Sequence, residues 1–350
     1  MSEESPPANP KADPSPPLIW VLADQRQGTA NQCLGVADAI VDAMGGNFET
    51  KTIRHSALAG LPNLFLGSGL AGLKRDLRDQ IRPPWPDLVI SGGRRGAPIA
   101  RYIKRQSRLA GVRPSFLAHI MHPGPGAGAT GFDLIAVPRH DRAGKGENLF
   151  PVTGAAHRVN RDALAAAHSE WQARFDEFAR PLVGLLLGGA TRQKPFRDAD
   201  AAELGARIGK LTAAAGGSLV ITTSPRTGAA ADHVAAAAAA AAGAAPQLVH
   251  HWALQGDNPY LGILALADLL VVTGDSVSMC TEACAAAKPV YIYAPTGFVV
   301  AKHARFHADL FAKGYARPLG NSFEAWEPPI LNPSEDIAAE IRRRMQANKR

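Results

Sequence analysis

The densest chemistry in the chain is the run Gly274-Asp275-Ser276-Val277-Ser278, continued by Met279-Cys280-Thr281-Glu282. It follows the apolar stretch LLVVT and leads into a helix-forming segment. Free backbone N–H groups where a helix begins, joined by serine hydroxyls, form a cradle for an anion. A diphosphate fits such a cradle, and Glu282, about one turn on, can accept hydrogen bonds from a ribose diol. The same residues also suit plain helix capping, with Asp275 or Ser278 as N-cap and Glu282 as a capping-box-like acid. Local sequence alone favours neither reading. Two further loops carry matching chemistry. Gly189, Thr191, Arg192, Gln193 and Lys194 follow or close LLLGGA, and Ser224-Pro225-Arg226-Thr227-Gly228 follows LVITT. Ligands of open α/β sheets sit beyond the carboxyl ends of the strands. Three such loops on one edge would bring forked arginine donors to one point, which suits phosphate better than a set of unrelated basic turns.

The first half of the chain offers acid–base groups instead. Asp24 ends the run LIWVLA and opens a loop containing Gln25, Arg26, Gln27, Gly28, Thr29, Asn31 and Gln32. His119 and His122 flank the end of another apolar run, and His140 and Asp141 follow FDLIAVPR. A general base needs reach and a suitable pKa. Asp24 is the first expectation for that role, with His122 and Asp141 behind it. Gln25, Gln27, Asn31, Arg94 and Arg95 are the expected acceptor contacts, the two arginines lying in the strand-end turn Ser91-Gly92-Gly93-Arg94-Arg95. Taken one by one, each of these also suits a structural role or a solvated turn.

Other patterns fail on context. Gly126, Gly128 and Gly131 satisfy GxGxxG, yet a strand-like FDLIAV follows where a dinucleotide fingerprint must open a helix. GGATRQK and Gly144-Lys145-Gly146 lack the spacing of a phosphate-binding P-loop. GDSVS approaches the nucleophile elbow GxSxG, with His303 and His307 downstream, but Ser278 replaces the last glycine and no acid completes the order. Asp198 and Asp200 form a DxD pair where a helix should begin, and a charged first turn explains it. Cys33, Cys280 and Cys284 are too few for a disulfide framework and have no metal-ligand spacing. They read as small core residues of a reducing compartment. No metal is expected, and no cofactor beyond a nucleotide diphosphate donor.

These residues need elements to hold them. Apolar runs at residues 18–23, 87–90, 116–121 and 132–137 alternate with turns and helical stretches. The pattern restarts at 183–187 and recurs at 218–223, 247–252, 269–273 and 290–293. Continuous apolar runs alternating with helices predict parallel sheets buried on both faces. The fold class expected is therefore α/β, with two Rossmann-like doubly wound domains facing a cleft. Residues 1–17, polar and proline-rich, read as a disordered tail. An N-terminal domain is expected over 18–175, a second over 181–325, and a basic terminal helix over 333–350. The alanine-rich run after Gly228 carries Asp232 and His233 and reads as a surface-packed helix. No run of about 18 apolar residues suggests a spanning helix. Hydrophobic residues are 46% and charged residues 20%, ordinary globular usage that excludes a fibrous or wholly disordered chain. The 38 Lys and Arg against 31 Asp and Glu give a net charge of +7, which points to an anionic partner. Dispersed basic residues and only 6% aromatics argue against nucleic acid. The basic end IRRRMQANKR suits a solvated helix terminus, with peripheral contact to an anionic membrane as the alternative.

The segments DQRQGTANQCLGVADAI, SGGRRGAPIA, FDLIAVPRHD, LLLGGATR and above all ADLLVVTGDSVSMCTEACAAAKPVYIY resemble the mitochondrial fission ELM family across about residues 18–330. That family in turn resembles glycosyltransferases of the GT-B type. The resemblance implies an acceptor domain followed by a nucleotide-sugar donor domain, with Ser276 and Ser278 facing the diphosphate and Glu282 the ribose. Thr191-Arg192 departs from the simple glycine-rich turn at the first loop of the donor domain. The expected function is metal-independent transfer of a sugar from a nucleotide diphosphate donor to a hydroxyl acceptor, a lipid-linked or cell-envelope one being the guess. The alternative is a non-catalytic adaptor on the same scaffold, which would tolerate joint loss of Arg192, Arg226 and Glu282. A cytoplasmic protein, peripheral to the inner membrane, is the matching location.

Overall fold

The computed structural model describes residues 16–124, 129–253 and 256–348. The tail through residue 15, and Gly126 and Gly128 of the glycine motif, lie outside the described residues. A first sheet contains β1 (Ile19–Asp24), β2 (Phe48–Ile53), β3 (Leu88–Gly92), β4 (Phe116–Ile120), β5 (Leu134–Pro138) and β6 (Leu149–Val152). All its pairings are parallel, in the order β2-β1-β3-β4-β5-β6. It carries the helices α1 (Gln27–Met44), α2 (Asn63–Leu66) and α3 (Gly93–Leu109). A second sheet contains β7 (Leu182–Leu187), β8 (Ser218–Thr223), β9 (Leu248–His250), β10 (Leu269–Thr273), β11 (Val290–Tyr293) and β12 (Arg317–Pro318). It too is parallel throughout, in the order β12-β11-β10-β7-β8-β9. Its helices are α4 (Arg161–Phe175), α5 (Asp198–Ala214), α6 (Ala230–Ala242), α7 (Tyr260–Leu266), α8 (Val277–Cys284) and α9 (Ala301–Ala312), and α10 (Pro333–Ala347) closes the chain. The expected α/β architecture of two Rossmann-like sheets is what the chain adopts.

Alternation within the strands feeds two cores per sheet. Ile19 and Val21 join the core under α1, whereas Trp20 and Leu22 join the one on the opposite face. Leu182 and Leu186 of β7 enter one core of the second sheet, and Val183, Leu185 and Leu187 the other. Small residues let helices close in. A Cβ at Gly205 would meet Val234 O at 2.3 Å, and one at Gly209 would meet Ala238 O at 2.3 Å, so α5 and α6 touch backbone to backbone. The alanines of α6 serve that contact.

One helix departs from the expected boundaries, and the terminal helix lies where it was expected. α4, expected with the first unit, packs Trp171 and Phe175 into the second unit's core, against Ile263 of α7. Gly262 admits it, since a Cβ there would lie 2.5 Å from the Trp171 ring. α10 returns to the first unit and buries Ile337, Ala338, Ile341 and Met345 beside α1. The chain thus crosses between units twice. His157 N donates to Ser334 Oγ at 2.9 Å and Ser334 Oγ donates to His157 O at 2.7 Å, which fastens one crossing to the other. The basic end of α10 is largely self-paired. Arg343 and Arg344 both bind Glu340, and Arg344 also donates to Asp133 O and Glu147 O. No helix among the described residues is long and apolar enough to cross a membrane.

Candidate functional site

In the second sheet the connection reverses direction between β7 and β10, and a crevice opens at such a switch point. The loops after those two strands meet there. Gly188 N donates to Thr273 Oγ1 at 2.7 Å, and Gly189 N to Asp275 Oδ2 at 3.0 Å. Both glycines are required by contact: a Cβ at Gly188 would lie 2.2 Å from Asp275 Oδ1, and one at Gly189 would lie 2.1 Å from Arg226 O. The loop after β8 locks in from the side. Ser224 Oγ donates to Gly188 O at 2.8 Å, and Thr227 Oγ1 donates to Leu187 O at 3.0 Å.

Arg226 and Asp275 do not wait as free ligands, as the sequence suggested. Arg226 pairs with the buried Asp275 carboxylate at 2.9 Å and donates to Gly189 O and Ala190 O at 3.0 Å each. A buried carboxylate demands a cation and hydrogen-bond donors, and these loops supply both. Ser276 is the N-cap of α8, accepting from Met279 N at 3.4 Å, which leaves its own O–H to donate. Its backbone is extended and unstrained (φ −111°), unlike a nucleophile elbow. His307 donates to Gly274 O at 2.9 Å, and burial holds its pKa down to about 4, so it does not serve Ser276 as a base. Ser278 is partly buried in the first turn of α8, and Arg192 is exposed beyond Thr191, whose hydroxyl accepts from Lys194 N at 3.0 Å.

Glu282, one turn into α8, accepts a hydrogen bond from Tyr260 Oη of α7. Burial pushes its carboxyl up to about 7, and the Tyr260 hydrogen bond pulls the other way. Tyr260 had no signal in the sequence, because its pairing spans two helices. Asp198 and Asp200 stand in the first turn of α5, where Asp200 accepts from Arg197 N at 3.2 Å.

The first sheet switches direction between β1 and β3. Asp24 lies there with Oδ1 3.2 Å from His55 Nε2, both side chains nearly buried. Sequence reasoning missed His55, which follows an edge strand far along the chain. Gln25, Gln27 and Asn31 are exposed, and Arg95 is partly buried. The Arg94 guanidinium donates to Leu61 O at 2.6 Å and Ala59 O at 3.0 Å, so it fastens a neighbouring loop, a role the sequence did not show. His122 is exposed and its Nδ1 accepts from Gly124 N at 3.2 Å. His119 is buried against Phe132 and bonded to Ser91 Oγ at 2.8 Å, and burial drives its pKa down to about 3.

The two carboxyl edges face each other. Asp141, leaving β5, binds Lys302 of α9 at 3.0 Å, which makes it a tie between units rather than a free base. Arg305 donates to His140 O at 3.0 Å, and Thr153 Oγ1 donates to Asp309 Oδ2 at 3.0 Å. Ala155 N donates to Thr281 Oγ1 at 3.2 Å, beside Gly154, where a Cβ would strike that same oxygen at 2.5 Å. His303 stands near this junction, its pKa lowered by burial and then by Lys302. Cys33, Cys280 and Cys284 are buried free thiols. Among the described residues no cluster of three or more His, Cys, Asp or Glu side chains is arranged to hold a metal ion. A cavity of about 860 Å³ lies at the opposite, N-terminal edge of the first sheet, among Asp87, Lys104, Arg108 and Arg342, away from both sets of strand-end loops.

Comparison with known proteins fits this frame. An uncharacterized protein of Rickettsia prowazekii is 26% identical over 368 residues, 95% of this chain and 99% of its own. Mitochondrial fission protein ELM1 of Arabidopsis thaliana is 29% identical over 328 residues, 87% of this chain and 71% of its own. Among solved structures, a UDP-GlcNAc 2-epimerase from Neisseria meningitidis bound to UDP-GlcNAc has a TM-score of 0.46 at 13% identity, over 95% of this chain and 92% of that one. MurG of Acinetobacter baumannii has a TM-score of 0.46 at 15% identity, over 94% and 95%. The sequence profile of mitochondrial fission ELM1 matches residues 27–345, and the chain belongs to that family.

Proposed function

We propose that the second unit binds a nucleoside diphosphate sugar and that the sugar passes to a hydroxyl acceptor held at the first unit's edge, without a required metal. The observation that carries this reading is the switch point between β7 and β10. Gly188-Gly189 and Gly274-Asp275 meet there at the start of α8, with Ser276 at its N-cap and Ser278 in its first turn, and the loop after β7 carries exposed Arg192. First-turn N–H groups offer donors to a diphosphate, and they offset the charge that develops on it as the sugar leaves. Glu282, with one oxygen on Tyr260, accepts from a ribose diol. At the facing edge, Asp24 takes the acceptor proton, with His55 Nε2 3.2 Å from its Oδ1.

Thermal melting with a panel of nucleotides and nucleotide sugars, with and without divalent metal, tests this. At 100 times its dissociation constant a ligand adds ~2.7 kcal/mol, which is about 5–10 °C for units of this size. The expected result is such a shift with one diphosphate sugar, lost in Glu282→Ala. No shift with any nucleotide overturns the reading.

A second reading, an interaction protein without chemistry, has the Arabidopsis relative's name behind it. It tolerates joint loss of Arg192 and Glu282. Arg226 does not belong in that test, because its loss strands the buried Asp275 carboxylate.

A further inference from the structure

Four of the nine large apolar side chains most exposed in the described residues fall between residues 58 and 65: Leu58 (51% exposed), Leu61 (44%), Leu64 (75%) and Phe65 (74%). Their setting is inside out. The single turn of α2 buries polar Asn63, whose Nδ2 donates to Arg94 O and Pro123 O at 3.0 Å each, while Leu64 and Phe65 face outward. The fold holds this arrangement from below and at the neck. Arg94 grips Leu61 O and Ala59 O. Ser56 N donates to Gly72 O at 2.9 Å and Ser56 Oγ to Ala71 O at 2.7 Å, beside a bridge between His55 and Leu73. Residues 56–72 are therefore a loop closed at its neck, with an apolar tip.

Charge selects the occupant. Residues 56–72 contain no Asp, Glu, Lys or Arg, and Arg54, Lys74 and Arg75 flank them. The nearby acids are neutralised, Asp76 by Arg54 and Asp79 by Arg82, which leaves Lys74 and Arg75 as exposed cations. An apolar tip flanked on one side by two exposed cations complements the surface of an anionic leaflet, where side chains enter the acyl boundary and cations meet headgroups.

We propose that the loop of residues 56–72 docks the protein on an anionic lipid bilayer, inserting Leu58, Leu61, Leu64 and Phe65 with Lys74 and Arg75 at the headgroups. His55 and its partner Asp24 stand at the neck of the loop. Resting on the reading above, this places the acceptor base at the lipid surface and makes the acceptor a hydroxyl carried on a lipid. Docking itself needs no nucleotide, so vesicle binding and nucleotide binding fail separately.

The test is co-sedimentation of the full chain with phosphatidylcholine vesicles, with and without about one-third phosphatidylglycerol. The parent chain should bind the anionic vesicles, and Leu64→Ser/Phe65→Ser should lose about tenfold or more in partition, with its melting temperature unchanged. Lys74→Glu/Arg75→Glu should erase the preference for anionic lipid. Leu109→Ser/Val112→Ser, at the far end of α3, should leave binding intact. The native cysteines are buried, so an environment-sensitive fluorophore on Leu64→Cys labels one site and should brighten with vesicles. Overturning results are no binding by the parent chain, full binding by Leu64→Ser/Phe65→Ser, or a dimer in size-exclusion that only this variant dissolves.

Discussion

The two strand-end edges use polar residues in opposite ways. At the second edge, Asp275, Arg226, Ser224, Thr227 and the Gly188-Gly189 backbone bond chiefly to one another. At the first edge, Gln25, Gln27 and Asn31 face water, and Asp24 pairs with His55. A rigid cradle suits a ligand whose phosphates are always the same, because prearranged donors need no reorganisation. Under the proposed function, an open rim suits an acceptor that arrives from elsewhere. Arg226, a residue type suited to phosphate, is bonded to Asp275, Gly189 O and Ala190 O and so fixes these loops.

Removing one residue from each edge should separate the two designs most strongly. Arg226→Ala leaves the buried Asp275 carboxylate without its cation. A fully buried pair broken this way costs about 3–5 kcal/mol, and the half-exposed arginine lowers that to about 2–3 kcal/mol. Arg95→Ala, at the first edge, should change stability by less than about 0.5 kcal/mol. Denaturant melting measures both. Equal costs would mean that the second edge is no more prearranged than the first.

The fold was far more legible than this difference between edges. Buried strands such as β7 and β10 are continuous apolar runs, and they stand out in any reading of the chain. The strands that escaped notice are edge strands. β2 reads FETKTI, which breaks its apolar run with Glu49 and Lys51; β6 contains Pro151; β12 has two residues. Edge strands need little apolar content because one side meets solvent. The site was legible as loops but not as partnerships. Gly274 to Ser278 announced a strand–turn–helix junction, yet nothing local reveals that Asp275 takes Arg226, that Glu282 takes Tyr260, or that Asp141 takes Lys302. Those pairs join elements distant in sequence, so only tertiary packing creates them. The placement of α4 was missed for the same reason, since its apolar face does not say which sheet it covers.

A pH measurement sharpens the comparison at Glu282. In the fold its carboxyl holds a proton up to about 7, against 4.5 for an ordinary glutamate. Between those values the folded state binds more protons than the unfolded one, so this group's contribution to stability falls as pH rises. Glu282→Gln removes the titration and keeps the shape. The variant should therefore gain on the parent chain by about 1–3 kcal/mol between roughly pH 4.5 and pH 8. Taking the difference cancels the buried histidines, which both chains share. A flat difference across that range would show that Glu282 is ionised at ordinary cost, and that the second edge is wetter than its bonding implies.

The smallest effects concern the helices that open at each edge. α8 starts on Ser276, whose hydroxyl caps Met279 N, whereas α1 starts on Arg26 with no side-chain cap. Ser276→Ala should cost about 0.5–1 kcal/mol, the low end of a cap because the bond is long, and Arg26→Asp should gain a similar amount. Ser278→Ala, one residue inside the helix, should leave stability unchanged. Under the donor reading the three changes separate cleanly: Ser276→Ala lowers both melting temperature and nucleotide affinity, Ser278→Ala lowers affinity alone, and Arg26→Asp alters stability alone. If Ser276→Ala moves stability without moving nucleotide affinity, the hydroxyl is a cap and nothing more, and the diphosphate contact falls to the backbone of α8 and to Arg192.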